Sequence, residues 1–169
     1  IDARKMMITN DSYLKGEPVV DEILARVPGA VNEAYQGMDA VITQGFIASN
    51  LQGKQTVLGR GGSDYSASLI GLAVDAEKIE IWTDVDGFMS ADPRLVPDAV
   101  VIEEMNYSEA GELAYFGAKV LHPRTIEPAR MKHIPVKIKN SYRPESPGTL
   151  IHNFRKKRDA LLKSVAMKA

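Results

Sequence analysis

Segments typical of buried strands alternate along this chain with segments typical of helices. Residues 39–47 are apolar and β-branched and predict a buried strand, and residues 63–75 predict a largely buried helix with Ala67, Ile70 and Val74 on one face. The alternation continues as a strand over 78–83, helices over 108–116 and 125–132, and strands over 135–140 and 149–151. Apolar strands separated by helices predict an α/β fold in which helices sandwich a parallel-rich sheet.

Single residues predict where several of these segments end. Ser108 is a typical helix N-cap, Gly117 a typical helix stop, and Pro135 ends the helix before it. The chain opens at Ile1 within what resembles a strand, so we expect 169 residues to be a lower bound on the natural length. A basic run at 155–158 predicts a linker or a helix leaving the domain, with a nucleic-acid patch as the alternative.

The composition excludes several classes of protein. Lys and Arg number 21 against 22 for Asp and Glu, so no large basic field is present to bind nucleic acid or an anionic membrane. Cysteine is absent, which excludes a disulfide framework, Cys-ligated zinc and thiol catalysis. No apolar run approaches the roughly 18 residues that span a bilayer. We therefore expect a cytoplasmic location, with no nucleic-acid or membrane partner.

A glycine-rich loop, residues 58–67, joins a short strand to the buried helix and is the strongest candidate for chemistry. Three glycines within four residues permit positive φ and close backbone approach to a ligand. The helix N-terminus that follows favours an anion, and Arg60 adds a planar fork for a carboxylate or phosphate. The alternative is that Ser63 or Asp64 merely caps the helix.

Residues 82–94 form the second candidate segment. Thr83 and Asp84 fall at the carboxyl end of a predicted strand, where open α/β sheets bind ligands. Asp84, Asp86 and Asp92 suggest a cation loop, but Phe88 breaks the EF-hand pattern. The alternative is that these aspartates are simple turn residues.

Residues 116–123 form the third segment. Lys119 follows a predicted glycine helix stop, which would aim its amine at a phosphate; the alternative is a favourable contact with the helix dipole. His122 precedes Pro123 and is predicted to pack or cap a helix rather than to act as a base. His133 and His152 have no partner at ligand spacing, so we predict no metal-binding residue.

Four blocks in this order resemble the aspartokinases of the amino acid kinase family, which use ATP to phosphorylate the β-carboxylate of aspartate. The blocks are Ile-Thr-Gln-Gly-Phe-Ile at 42–47, Gly-Arg-Gly-Gly-Ser-Asp-Tyr at 59–65, Trp-Thr-Asp-Val-Asp-Gly at 82–87 with Asp-Pro-Arg at 92–94, and Phe-Gly-Ala-Lys-Val-Leu-His-Pro at 116–123. The resemblance covers roughly residues 1–152 and implies the carboxyl-terminal, nucleotide-binding part of the kinase domain. Residues 153–169 would be a linker toward a regulatory ACT domain.

The resemblance also implies roles for individual residues. Aspartate would be bound by Arg60 with Gly61, Gly62 and Ser63, in a pocket lined by Phe46. Asp64 would act in catalysis by organising a lysine and a magnesium-bound phosphate region. The residues implied to contact ATP are Thr83, Asp84, Met89, Arg94, Lys119 and Val120. Mg²⁺ would be held mainly through the phosphates.

This sequence also departs from the family pattern. Met89 stands where relatives often carry Tyr, and the amino-terminal Lys-Phe-Gly-Gly-Thr-Ser segment with its phosphate-binding lysine is absent. We therefore expect this chain alone to lack kinase activity and to retain weak nucleotide binding. The whole protein would catalyse the first step of lysine, threonine and methionine biosynthesis as a homo-oligomer. The alternatives are another amino acid kinase, acting on glutamate, acetylglutamate, carbamate or UMP, and a non-catalytic nucleotide-binding or regulatory module.

Overall fold

A computed structural model describes residues 1–116, 120–153 and 164–165, and the chain forms two compact units, Ile1–Ala76 and Glu77–Ala169. Unit one contains β1 (Ile8–Thr9), α1 (Val20–Tyr35), β2 (Ile47–Asn50), β3 (Gln55–Val57) and α2 (Gly62–Ala73). Unit two contains β4 (Ile79–Thr83), β5 (Glu104–Asn106), α3 (Tyr107–Phe116), α4 (Pro123–Met131), β6 (Val136–Asn140) and β7 (Thr149–His152).

The first unit is built on a three-stranded sheet in the order β1-β2-β3. Strands β1 and β2 are parallel, and β2 and β3 are antiparallel with Ala48 opposite Thr56. Helices α1 and α2 contact each other, and Ile23, Val27 and Leu69 join Met6 and Met7 in one buried cluster. The α2 helix and the short strand before the glycine-rich loop confirm the sequence prediction.

The predicted strand over residues 39–47 is wrong, because only Ile47 lies in a strand. Phe46 has φ +71°, a left-handed conformation that ends an extended segment, and Ile42 is 83% exposed. The strand instead includes Ser49 and Asn50, which are buried with hydrogen-bond partners. Ser49 Oγ donates to the Arg4 carbonyl at 2.6 Å, and Asn50 Nδ2 donates to the Asp11 carboxylate at 2.7 Å. Hydropathy therefore placed the strand too early.

One further prediction in the first unit is wrong, and a second needs refining. Residues near the amino terminus form a 3-10 turn, Ala3–Lys5, capped by Asp2, and not the middle of a strand. Helix α2 is largely buried, as predicted, but the face that carries Ala67, Ile70 and the C-cap residue Val74 is less buried than the neighbouring one. Val74 is 38% exposed, whereas the neighbouring face contains the buried Ser66, Leu69 and Leu72. Because the buried face contains serines, a hydropathy pattern does not identify it as buried.

Helix α1 was not predicted, because Pro28 and Gly29 interrupt its sequence pattern. It runs through both residues for 16 residues and buries Ile23 and Val27. Packing of this buried side compensates for the backbone hydrogen bond that a proline cannot donate.

The second unit contains a four-stranded sheet in the order β4-β6-β7-β5. Strand β4 is parallel to β6, β7 is parallel to β5, and β6 and β7 are antiparallel. Ile81, Ile138 and Ile151 are buried in this sheet, and α3 contacts both α4 and β7. The predicted strands and helices of this unit are confirmed, whereas β5 was not predicted. In the described residues, three of the five strand pairings are parallel, as an α/β fold with parallel-containing sheets requires.

The predicted cap of α3 is wrong, whereas the predicted cap of α4 is confirmed. Ser108 lies inside α3 and is not its cap. Asn106 Oδ1 instead accepts a hydrogen bond from the Glu109 N–H at 2.9 Å, and Glu109 Oε2 accepts one from the Asn106 N–H at 2.9 Å. His122 caps α4, as predicted, because its Nδ1 accepts from the Arg124 N–H at 3.3 Å. Gly117, the predicted helix stop, lies outside the described residues.

The helices of the described residues include none that is long and apolar enough to cross a membrane.

Candidate functional site

The glycine-rich loop turns sharply between β3 and α2 in unit one. Gly59 and Gly61 have φ of +76° and +69°, conformations that glycine adopts without steric cost. The Gly62 N–H donates to the Gly59 carbonyl at 3.0 Å, which closes the turn. The loop therefore delivers the chain into α2, where Gly62 is buried and Ser63 is exposed.

The N-terminus of α2 has no side-chain cap, so the capping alternative for Ser63 and Asp64 is wrong. Gly61 occupies the N-cap position, and among the described residues no side chain accepts a hydrogen bond there. The first-turn N–H groups of a helix have no intrahelical partner and lie at the positive end of its dipole. The Gly62 N–H is engaged by the Gly59 carbonyl, so the Ser63 N–H is the backbone donor of this turn that is suited to an anionic ligand.

Two cationic side chains lie beside this loop. Arg60 is exposed, and no described residue forms an ion pair with its guanidinium. The Lys15 side chain lies over the loop, since a β-carbon added at Gly59 would be 3.3 Å from Lys15 Cγ. The loop thus combines backbone donors with a planar guanidinium, which suits a carboxylate.

Phe46 packs directly on the start of α2. Its N–H donates to Ser66 Oγ at 3.0 Å, and Ser66 Oγ donates to the Gly62 carbonyl at 2.8 Å. A β-carbon at Gly62 would lie 2.7 Å from Phe46 Cδ2, so glycine permits this contact. An aromatic residue at φ +71° is strained, and such residues persist where the surroundings hold them.

Ser66 is a functional candidate that the sequence analysis missed. It is buried in α2, where a serine looks unremarkable in sequence, and its hydroxyl connects Phe46 to the first turn of the helix. No sequence signal identifies it, because its partner is 20 residues away along the chain.

Asp64 lies in the first turn of α2 and is half-buried. This burial raises the pKa of its carboxyl group above the ordinary value, since desolvation disfavours the charged form. No described residue supplies it with an ion pair or a hydrogen bond. An acid in this place can bind a cation or orient an ammonium group next to a phosphate.

In unit two, Thr83 ends β4 and Asp84 follows it at the surface. Thr83 Oγ1 donates to Asp84 Oδ1 at 3.2 Å. Asp86 instead faces Asn140 and Arg143, and its Oδ1 accepts from Asn140 Nδ2 at 2.7 Å. Asp84 is therefore the aspartate of this turn that remains exposed to a ligand.

Met89 and Arg94 lie on the long segment after β4. The Met89 carbonyl accepts a hydrogen bond from Ser164 Oγ at 2.8 Å. The Arg94 guanidinium is exposed and forms a two-point contact with Asp92, through Nε at 3.0 Å and a terminal nitrogen at 2.6 Å. Hydrogen bonding to Asp92 raises the pKa of Arg94. The two hydrogen bonds orient the guanidinium plane toward Asp92.

The turn interpretation fits Asp92, whose Oδ1 accepts from the Arg94 N–H at 2.9 Å. Asp86 is instead engaged by the distant residues Asn140 and Arg143. In the part of the chain that the structure describes, no group of three or more acidic or histidine side chains could hold a metal ion.

The structure thus brings the predicted site residues together in two groups. Within unit one, Phe46 and the loop residues Arg60, Gly61, Gly62, Ser63 and Asp64 form one continuous cluster. Within unit two, Thr83 and Asp84 are adjacent, and Met89 and Arg94 follow on the same segment. Val120 is half-buried before α4, and Lys119 lies outside the described residues.

Comparison with known proteins gives one consistent match. Residues 2–140 match the model of the amino acid kinase family. The chain is 46% identical over 152 residues to lysine-sensitive aspartokinase 3 of Escherichia coli (strain K12), covering 90% of this chain and 34% of that protein. It is 39% identical over 163 residues to the chloroplastic aspartokinase 1 of Arabidopsis thaliana, covering 95% of this chain and 28% of that protein.

Solved structures agree with the sequence matches. E. coli aspartokinase III in complex with aspartate and ADP superposes with a TM-score of 0.91 at 42% identity, covering 98% of this chain and 37% of that one. The chain therefore spans about a third of the length of the relatives it matches.

Proposed function

The chain belongs to the amino acid kinase family, and from this premise we propose that it forms part of an aspartokinase, which transfers the γ-phosphoryl group of ATP to the β-carboxylate of L-aspartate. Residues 1–152 would be the carboxyl-terminal part of the kinase domain, and residues 153–169 a linker. The observation that carries the proposal is the start of α2, where no described residue is an anionic partner of Arg60 and none caps the adjacent helix N-terminus through its side chain. This arrangement suits a small dicarboxylate.

The first unit would supply the aspartate-binding groups. Arg60 would bind a carboxylate with two parallel hydrogen bonds, and the N–H groups of Gly61 and Ser63 would bind further oxygens. Gly62, whose N–H closes the turn onto Gly59, would let the backbone approach the ligand closely. Phe46 is 39% exposed and packs on Gly62, which supports a role in lining the pocket.

The second unit would supply nucleotide-binding groups at and after the carboxyl end of β4. Thr83 and Asp84 would contact the nucleoside, and Arg94, already oriented by Asp92, would contact phosphate oxygens. Met89 would make an apolar contact in place of an aromatic one. Val120, which is half-buried before α4, and the preceding Lys119 would also contact the nucleotide.

The reaction would be a direct displacement. A β-carboxylate oxygen of aspartate attacks the γ-phosphorus, the bond to the bridging oxygen breaks, and ADP leaves with that electron pair. Arg60 and the α2 N-terminus would position the acceptor, and positioning with charge neutralisation is the main contribution a protein makes to such a transfer.

A magnesium ion fits this site through one acidic residue. Mg²⁺ in kinases is held by one or two carboxylates together with phosphates and water, and Asp64 is a carboxylate for which no described residue is a partner. When bound, the ion would neutralise charge on the phosphates. Asp64 would organise a lysine of the kinase and the magnesium-bound phosphate region, and the ion would be held mainly through the phosphates.

The experiment replaces the matched segment of E. coli aspartokinase 3 with this chain and measures ADP release from MgATP. We expect turnover with aspartate and none with acetylglutamate or UMP. Arg60→Ala should raise the KM for aspartate by about 100-fold, the range lost with one charged partner of a substrate, while the affinity for ADP is retained. The KM of Arg60→Lys for aspartate should lie between the values of wild type and Arg60→Ala, because lysine keeps the charge but not the planar guanidinium.

The chimera contradicts the proposal if it binds ADP and turns over acetylglutamate or UMP in place of aspartate. An Arg60→Ala chimera with an unchanged KM for aspartate contradicts the assigned role of the loop. A homo-oligomeric whole protein and a cytoplasmic location stay predictions.

A further inference from the structure

The carboxyl ends of β4 and β6 are joined by a cluster of hydrogen bonds. The two strands are parallel neighbours, with Thr83 opposite Asn140. Beyond that pair, the Ser141 N–H and Oγ both donate to the Thr83 carbonyl, at 2.8 and 3.0 Å. This holds the first residue of the turn that contains Asp84.

Asn140 holds the other side of the same turn. It is 2% exposed, and its Nδ2 donates to Asp86 Oδ1 at 2.7 Å. Its Oδ1 accepts from the Tyr142 N–H at 2.8 Å and the Arg143 N–H at 3.3 Å. The amide side chain is therefore engaged through both of its polar atoms, in a place where an unpaired polar group is costly.

Arg143 completes the contact with Asp86. Its guanidinium forms an ion pair with Asp86 Oδ2, while Asn140 occupies Oδ1. Only Asp84 and Val85 lie between the two held residues, and both are exposed. A turn with two unheld residues between fixed ends has few backbone conformations available.

We propose that Asn140 is a positioning residue for nucleotide binding: by holding Asp86, it keeps the Thr83–Asp86 turn in the conformation that presents Thr83 and Asp84 to the nucleotide. The inference rests on the proposed function, since it assumes that this turn binds nucleotide. It gives Asp86 a role in holding the turn rather than in contacting ligand. A turn already fixed before binding loses less conformational entropy when the ligand binds.

The substitution Asn140→Asp tests the hydrogen bond that the Asn140 Nδ2 donates to Asp86. It keeps the oxygen that accepts from Tyr142 and Arg143, removes the N–H that donates to Asp86, and places two carboxylates together. The double variant Asn140→Asp with Asp86→Asn reverses the pair and restores one donor and one acceptor. Asn10→Asp, in unit one, is the matched control, because Asn10 uses its side-chain oxygen to accept from two N–H groups.

MgADP is titrated into the 169-residue chain and followed by the fluorescence of Trp82, which is 49% exposed and adjacent to Thr83. We expect Asn140→Asp to weaken MgADP binding by about tenfold, the effect of losing one hydrogen bond to a charged group. The double variant should bind within about threefold of wild type, and Asn10→Asp should bind like wild type.

Hydrogen exchange at the Ser141 amide provides a readout that does not depend on nucleotide. Its proton is bonded to the Thr83 carbonyl, so Asn140→Asp should speed its exchange and the double variant should slow it again. Unchanged exchange and unchanged binding in Asn140→Asp would overturn the inference, as would a double variant no better than the single one.

The two proposals fail in different ways. If wild-type chain does not bind MgADP while Ser141 exchange follows the expected pattern, the nucleotide role of the turn fails and the holding role of Asn140 stands. If Asn140→Asp does not fold, the single variant Asp86→Asn is the test. It removes the ion pair with Arg143 and should weaken MgADP binding by a few fold. Unchanged binding in that variant would overturn the inference.

Discussion

Replacing Gly87 with alanine is expected to destabilise unit two strongly, because two features of the structure require glycine there. Gly87 has φ +135°, which L-residues with a β-carbon rarely adopt. An added β-carbon would also collide with Thr149 Oγ1 and lie 3.0 Å from the Thr149 nitrogen. Thr149 is fully buried, so it cannot move aside into solvent.

The magnitude follows from the hydrogen bonds that Thr149 makes. Its Oγ1 accepts from the Phe88 N–H at 2.9 Å and donates to the Ile102 carbonyl at 2.7 Å. Displacing the hydroxyl leaves a buried N–H unpaired, at about 1–3 kcal/mol. Backbone strain at the substituted residue adds about 1–3 kcal/mol. We therefore expect the free energy of unfolding of unit two to fall by about 2–6 kcal/mol.

Urea unfolding followed by Trp82 fluorescence measures this change, since Trp82 lies in the same unit. With a slope of about 1–3 kcal/mol per molar urea, the midpoint should fall by about 1 M or more. Gly111→Ala is the matched control: Gly111 is inside α3, and a β-carbon there would meet nothing within 4 Å. That variant should gain about 1 kcal/mol from helix propensity. Equal effects of the two variants, or an unchanged midpoint in Gly87→Ala, would refute the reasoning.

Three further predictions concern the other site elements. Ser66→Ala leaves the Phe46 N–H without its acceptor, so we expect unfolding free energy to drop by about 1–3 kcal/mol and, in the aspartokinase chimera, KM for aspartate to rise while ADP affinity holds. Because burial raises the folded-state pKa of Asp64, folded chain binds its proton more tightly than unfolded chain, and stability falls as pH rises between the two pKa values. Asp64→Asn should therefore unfold at higher urea than wild type at pH 7, with a smaller difference at pH 3, and should lose kinase activity in the chimera; a lower midpoint at pH 7 would contradict the assigned cause. Asn106→Ala should cost about 1 kcal/mol as the loss of a helix cap, whereas Ser108→Ala should change stability by less than about 0.5 kcal/mol, and a reversed order in urea midpoints would contradict the cap assignment.

Local sequence signals predicted the parts of the fold whose geometry depends on neighbouring residues. Three glycines around Arg60 predicted a sharp loop into a helix, and Gly59 and Gly61 do adopt positive φ. Strands β4 and β6 were predicted, and each buries alternate residues that include the apolar Ile79, Ile81, Val136 and Ile138. Such patterns reflect local backbone preferences and burial, which the sequence carries directly.

Tertiary structure decided the features that depend on distant partners. Phe46 leaves the strand conformation where its N–H meets Ser66, and Ser49 and Asn50 are buried in β2 with hydrogen-bond partners about 40 residues away. Hydropathy assigns polar residues to the surface, so it missed them.

The three aspartates after β4 also separate what the sequence determines from what the tertiary structure decides. In sequence Asp84, Asp86 and Asp92 are equivalent acids next to turn residues. In the structure Asp92 pairs with its near neighbour Arg94. Asp86 is held by Asn140 at the end of β6 and by Arg143 just after it, and Asp84 stays exposed. The sequence alone determined that acidic groups follow β4. Only the packing of β6 beside β4 decided which acid is used to hold the turn, because a carboxylate's role depends on the donors that the fold places against it.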